Sequence, residues 1–106
     1  MAKYLVVATY TAEGAKGVLK DGGSKRRAAA QKAIKSLGGK MEAFYFAFGS
    51  DDALVIVELP DAVSAAAMSL NVAATGAGSS RVRVLLTAED IDKATRKTAS
   101  YTPPGS

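Results

Sequence analysis

Between Lys40 and Leu59 the chain reads as two strands separated by Gly49-Ser50-Asp51, and both faces of the resulting hairpin are apolar. A short turn between two β-rich runs predicts an antiparallel pair. A two-residue turn at Ser50-Asp51 pairs Gly49 with Asp52 and sets Phe46 beside Val55. Side chains alternate along a strand, so Phe44, Phe46, Phe48, Val55, Val57 and Leu59 fall on one face. Met41, Ala43, Tyr45, Ala47, Leu54, Ile56 and Glu58 fall on the other. Few folds accept a sheet that is apolar on both sides unless something covers each side.

The flanking segments complete the pattern. Lys3 to Tyr10 is β-branched, aromatic and apolar, a first strand with Leu5 and Val7 on one side and Tyr4, Val6, Ala8 and Tyr10 on the other. Thr11 is placed to cap a helix that runs to Leu37, broken at Asp21-Gly22-Gly23, with Ser24 capping the second piece. Ala30, Ala33, Ile34 and Leu37 share a face of that piece, and Gly38-Gly39 stops it. Pro60-Asp61 opens another helix, with Val63, Ala66, Ala67, Leu70, Ala73 and Ala74 at helical spacing until Gly76. Arg81 to Leu86 is a fourth strand. Thr87-Ala88-Glu89-Asp90 resembles a capping box and starts a short polar helix to about Thr98.

The order β-α-β-β-α-β with a short C-terminal helix predicts an α+β fold of the ferredoxin-like kind. Its four-stranded antiparallel sheet carries helices on one face. One domain over residues 1–98 and an extended tail over 99–106 account for all 106 residues. The second sheet face then lacks a cover. The last helix, with Glu89, Asp90, Asp92, Lys93, Arg96 and Lys97, has little apolar surface to offer. Another copy of the chain is the expected cover, giving a homo-oligomer of dimeric α/β-barrel type. Val6, Ala8, Ala43, Ala47, Leu54 and Ile56 are its expected contact residues.

Composition narrows the chemistry. The chain has no cysteine and no histidine, which removes thiolate chemistry, the commonest metal ligands and the commonest general base. No metal and no cofactor are expected. With 14 basic and 10 acidic residues the net charge is only +4, and no aromatic lies near the densest basic run, so no nucleic-acid partner is expected. No apolar run is long enough for a membrane span, and Met1-Ala2-Lys3-Tyr4 lacks a signal-peptide layout. A cytoplasmic location is the default.

Two candidate sites stand out. Tyr4, Tyr10, Tyr45, Glu58 and Arg83 are expected together on the second sheet face, where phenols, a carboxylate and a guanidinium in an apolar cleft could orient a small polar ligand. The plainer alternative makes them interface residues, with Glu58 and Arg83 paired. Gly22-Gly23 followed by Ser24, Lys25, Arg26 and Arg27 could hold an anion at a helix start, although a capped break with a solvated basic face explains the same residues. It is not a Walker motif. Gly76-Ala77-Gly78-Ser79-Ser80 follows a helix and precedes a strand, the wrong context for a dinucleotide loop.

The chain resembles the GYD-domain family of small bacterial proteins. The resemblance rests on Tyr10-Thr11-Ala12-Glu13-Gly14, the Gly38-Gly39 pair, Phe44-Tyr45-Phe46-Ala47-Phe48-Gly49, and Gly49-Ser50-Asp51-Asp52 running into Val55-Ile56-Val57-Glu58-Leu59-Pro60-Asp61. Asp51 stands where the family's tyrosine would be, so Gly49 and Asp52 are the matching positions of the naming motif. The resemblance implies a relative of the ferredoxin-like dimeric barrels and assigns no reaction. Two functions follow as expectations. One is a non-catalytic homo-oligomer holding a small ligand or partner. The alternative is a cofactor-free enzyme of the dimeric-barrel kind, a small monooxygenase or isomerase.

Overall fold

Side chains that favour a pleated surface and side chains that favour a helix alternate in blocks along the chain, and the elements follow those blocks. The computed structural model describes residues 1–47 and 49–106. Strand β1 (Ala2–Tyr10) leads to helices α1 (Ala12–Asp21) and α2 (Gly23–Ser36), then strands β2 (Lys40–Phe46) and β3 (Ala53–Leu59). Helix α3 (Ala62–Ala74), strand β4 (Gly78–Leu85) and helix α4 (Ala88–Thr95) complete the chain. The strands form one antiparallel sheet in the order β2-β3-β1-β4, the ferredoxin-like arrangement with an additional helix break.

Caps explain most of the boundaries. The Thr11 hydroxyl accepts from the Gly14 N–H at 3.2 Å and starts α1. The Asp61 carboxylate accepts from the Ser64 N–H at 2.8 Å and starts α3. Thr87 and Asp90 form the anticipated reciprocal box at α4. The break between α1 and α2 differs from expectation. Gly22, at φ 81°, is the N-cap of α2 and no side chain caps it, so Ser24 does not have that role. A positive φ is open to glycine at little cost, and the break relies on that freedom.

The core lies between the sheet and the helices. Tyr4, Val6, Val55, Val57 and Leu59 from the sheet pack with Ile34 of α2 and with Ala65 and Met68 of α3. Val57 and Leu59 are completely buried. Cross-strand pairing of Tyr4 with Val57 and of Val6 with Val55 places the even residues of β1 on this side. Leu5, Val7, Leu54 and Ile56 therefore face away, with Arg81 and Arg83 of β4 beside them.

Three expectations about register are corrected. Val55 pairs with Phe44 rather than Phe46, and Phe46 pairs with Ala53, so the hairpin connection is longer than a two-residue turn. The shift is two residues, so parity survives and Phe44 and Phe46 keep their face. A β-bulge between Met41 and Ala43 breaks parity on β2 and sends Met41 toward the core instead. Strand β4 starts at Gly78 rather than Arg81, because Gly78, Ser79 and Ser80 pair with Tyr10, Thr9 and Ala8. The placement expected for Phe48 lies outside the described residues.

Helix α4 stands apart from this body. All of its residues except Asp90 are exposed. The radius of gyration is 16.8 Å and the long axis 56 Å, against roughly 13 Å for a compact chain of this length. The C-terminal arm projects, and α4 borders the sheet at one end, where Asp90, Lys93, Ala94 and Lys97 line a recess with Lys3 and Glu58.

Candidate functional site: the open sheet face and a cleft beneath the helices

The open face has an apolar middle and charged ends. Leu5, Val7, Leu54 and Ile56 occupy the two central strands, with Ala43 beside Ile56 on β2. At one end Glu58 is flanked across strands by Lys3 and Lys40. Lys3 also pairs with Glu42, Nζ to Oε2 at 3.0 Å. The hydrogen bond from Lys3 to Glu42 and the Glu42 charge hold the Lys3 ammonium above its usual range. Toward the other end the Arg81 guanidinium donates to Asp51 at 2.7 Å. Asp51 thus ties the β2–β3 connection to β4.

The five residues expected to meet on this face do not converge. Tyr4 and Tyr10 lie on the helix side, Tyr4 in the core at 4% exposure. Every position of β1 from Tyr4 to Ala8 is apolar, so alternation carries no signal about which way the strand faces. Tyr45, Glu58 and Arg83 do share the open face, but apart. Tyr45 sits opposite Leu54, and Glu58 is four residues further along β3, about 13 Å away at strand spacing. Arg83 pairs with Leu5 on the opposite edge strand, three strand spacings or about 14 Å from β2. Val6 and Ala8, expected at the contact between copies, also face the helices.

The second candidate group is divided among three environments. Lys25 points to solvent near Asp21, with Nζ 3.7 Å from its carboxylate. Ser24 and Arg27 border a shallow recess against Phe44 and Phe46. Arg26 lies on the inward stripe of α2 with Ala30, Ile34 and Leu37 and is half-buried.

Arg26 opens into a cleft the sequence did not suggest. It has a volume of about 390 Å³ and lies between α2, α3 and the ends of β1 and β4. Tyr10, Leu37, Met68 and Val72 supply much of its wall. The structure therefore brings together Tyr10 from the first candidate group and Arg26 from the second. The signal available in the sequence was Arg26 itself, a charge four residues before Ala30 and eight before Ile34 on an otherwise apolar stripe.

Among the described residues no group of three or more acidic side chains is placed to hold a metal ion. No described helix is long and apolar enough to cross a membrane.

A four-stranded antiparallel sheet in the order β2-β3-β1-β4 with helices on one side defines a ferredoxin-like α+β domain. The GYD-domain family model matches residues 4–95, and the chain belongs to that family. No curated protein and no solved structure matches it.

Proposed function

We propose that the protein is a non-catalytic homo-oligomer in which two copies meet through their open sheet faces and form a dimeric α/β barrel, holding a small ligand or partner rather than turning over a substrate. The observation that carries this reading is the row Leu5, Leu54 and Ile56, half-buried, with Val7 buried among its neighbours, on the sheet face opposite the core helices α2 and α3. An apolar centre bounded by charges is the usual anatomy of a protein interface. Lys3, Lys40, Glu42 and Glu58 supply charges of both signs at one end, with Asp51 and Arg81 at the other. A two-fold axis through the face would bring such mixed ends to self-complementary positions.

The separation of Tyr45, Glu58 and Arg83 supports binding over cofactor-free catalysis. General acid–base chemistry needs its groups within hydrogen-bond reach of one reacting centre, and Tyr45 stands three strand spacings from Arg83 and, along the strand direction, four residues from Glu58. Glu58 and Arg83 fit better as charged groups at the edges of the contact.

Sedimentation equilibrium tests the assembly. The unmodified protein is expected to be a dimer or larger at micromolar concentration. Ile56→Asp would place an unpaired charge in the buried centre at a cost of several kcal/mol, so a folded monomer is expected for that variant. A stable monomer of the unmodified protein would refute the proposal.

A further inference from the structure

The cleft between α2 and α3 has features that the assembly of sheet faces does not use. It is a half-open surface cleft of about 390 Å³, a volume within the range of small-molecule sites. It could take the volume of about a dozen waters, or a solute with about that many non-hydrogen atoms. Its walls are mainly apolar: Leu37, Met68 and Val72 line it, with Ala8 at the floor and Ala33 on α2.

Arg26 is the one charged residue among the described residues lining this space. Its nearest carboxylate is Asp21, with Nη1 to Oδ2 at 3.9 Å, too long for a hydrogen bond. Asp21 is shared with Lys25. The guanidinium therefore keeps its donors for another acceptor. The other polar groups are largely engaged: Asn71 donates to the Ala67 carbonyl at 2.7 Å and Thr75 to that of Val72 at 2.7 Å. Tyr10 adds a phenol to the wall. A single cation at the border of a mainly apolar cleft suits one kind of guest, an anionic head on an apolar body.

The geometry points to this cleft as a binding site for a small amphipathic monocarboxylate, its carboxylate on Arg26 and its hydrocarbon part against Leu37, Met68 and Val72. The site faces away from the open side of the sheet, so its occupancy can be measured whether or not the copies assemble there.

Octanoate serves as the probe, with n-octanol as its uncharged match. Calorimetric titration of the full chain is expected to show saturable octanoate binding, accompanied by a shift of the Met68 methyl resonance. Octanol should bind more weakly. Arg26→Gln should weaken octanoate by about ten- to a hundredfold, the usual loss of a charge-assisted hydrogen bond, and leave octanol unchanged. Arg27→Gln should bind octanoate as the unmodified protein does, and Ala33→Phe, which fills the space, should bind neither. Absence of saturable octanoate binding would overturn the inference. So would full affinity in Arg26→Gln or Ala33→Phe, or equal losses in the two arginine variants. If Arg26→Gln fails to fold, equal affinity of the unmodified protein for octanoate and octanol overturns it by itself.

Discussion

The Asp52 carboxylate accepts a hydrogen bond from the backbone N–H of Tyr10 at 2.8 Å, while its own N–H donates to the Ala8 carbonyl at 2.9 Å. Strand β3 begins only at Ala53, opposite Ala8. The side chain of Asp52 stands in for a missing backbone acceptor and carries the pairing on to the last residue of β1. The work of Asp52 here is structural. Asp52→Ala strands a partly buried N–H, and a loss of about 1–3 kcal/mol is expected. Asp52→Asn keeps an oxygen acceptor and should lose less. Urea midpoints at constant slope measure both.

Two glycines of α1 should respond to alanine with opposite signs. At Gly14 an added Cβ collides with the Ala77 carbonyl oxygen and comes 3.1 Å from Cδ1 of Tyr10. That carbonyl also accepts the Thr11 N–H at 3.0 Å, so it cannot retreat freely. Overpacking of this kind costs about 1–3 kcal/mol. At Gly17 the same Cβ meets nothing within 4 Å, and Gly17→Ala should gain about 0.4–1 kcal/mol by restricting the unfolded chain. Thermal unfolding of the two variants beside the unmodified protein decides the signs.

Acid sensitivity should trace to two helix caps. Hydrogen bonds from the backbone and side chain of Ser64 hold the Asp61 carboxyl below its usual range. Hydrogen bonds from Thr87 do the same for Asp90. A carboxylate with a depressed folded-state pKa contributes stability above its unfolded value, about 3.9, and loses it as pH falls through the lower folded value. Stability is therefore expected to be flat from these groups at neutral pH and to decline from about pH 4 downward. Asp61→Asn combined with Asp90→Asn keeps the capping oxygens but removes the titration. The acid limb of the melting-temperature profile should flatten in that double variant, and an unchanged limb would assign the acid loss elsewhere.

Local signals carried the element order well and the orientation of β1 poorly. Thr11, Asp61 and Thr87 each sit directly before a helical run, and each caps it. The Phe44 and Phe46 face was legible because the hairpin register differs from the expected one by an even two residues, which keeps both on the same side as Val55, Val57 and Leu59. Strand β1 offers no alternation between Tyr4 and Ala8, so only its pairing with β3 reveals that Tyr4 lies in the core. The bulge at Met41 has no local signature in the sequence. The cleft was illegible for another reason: it depends on the distance between α2 and α3, which no stretch of sequence specifies, although Arg26 on the apolar stripe marked one wall.

The bulge between Met41 and Ala43 has a consequence for the sheet's two rims. Strands β2 and β4 are the outer ones, and an outer strand with unpaired backbone groups invites strand addition and fibre growth. On β2 the bulge disturbs the rim's regular spacing, with Lys40 and Glu42 on either side of Met41. On β4 Arg83 is exposed beside Arg81, whose guanidinium is paired with Asp51, so this rim carries charged side chains of the kind that blunt strand addition. Edge-on stacking is disfavoured at both borders, so lateral fibre growth through either rim is opposed by the sheet's own outer strands.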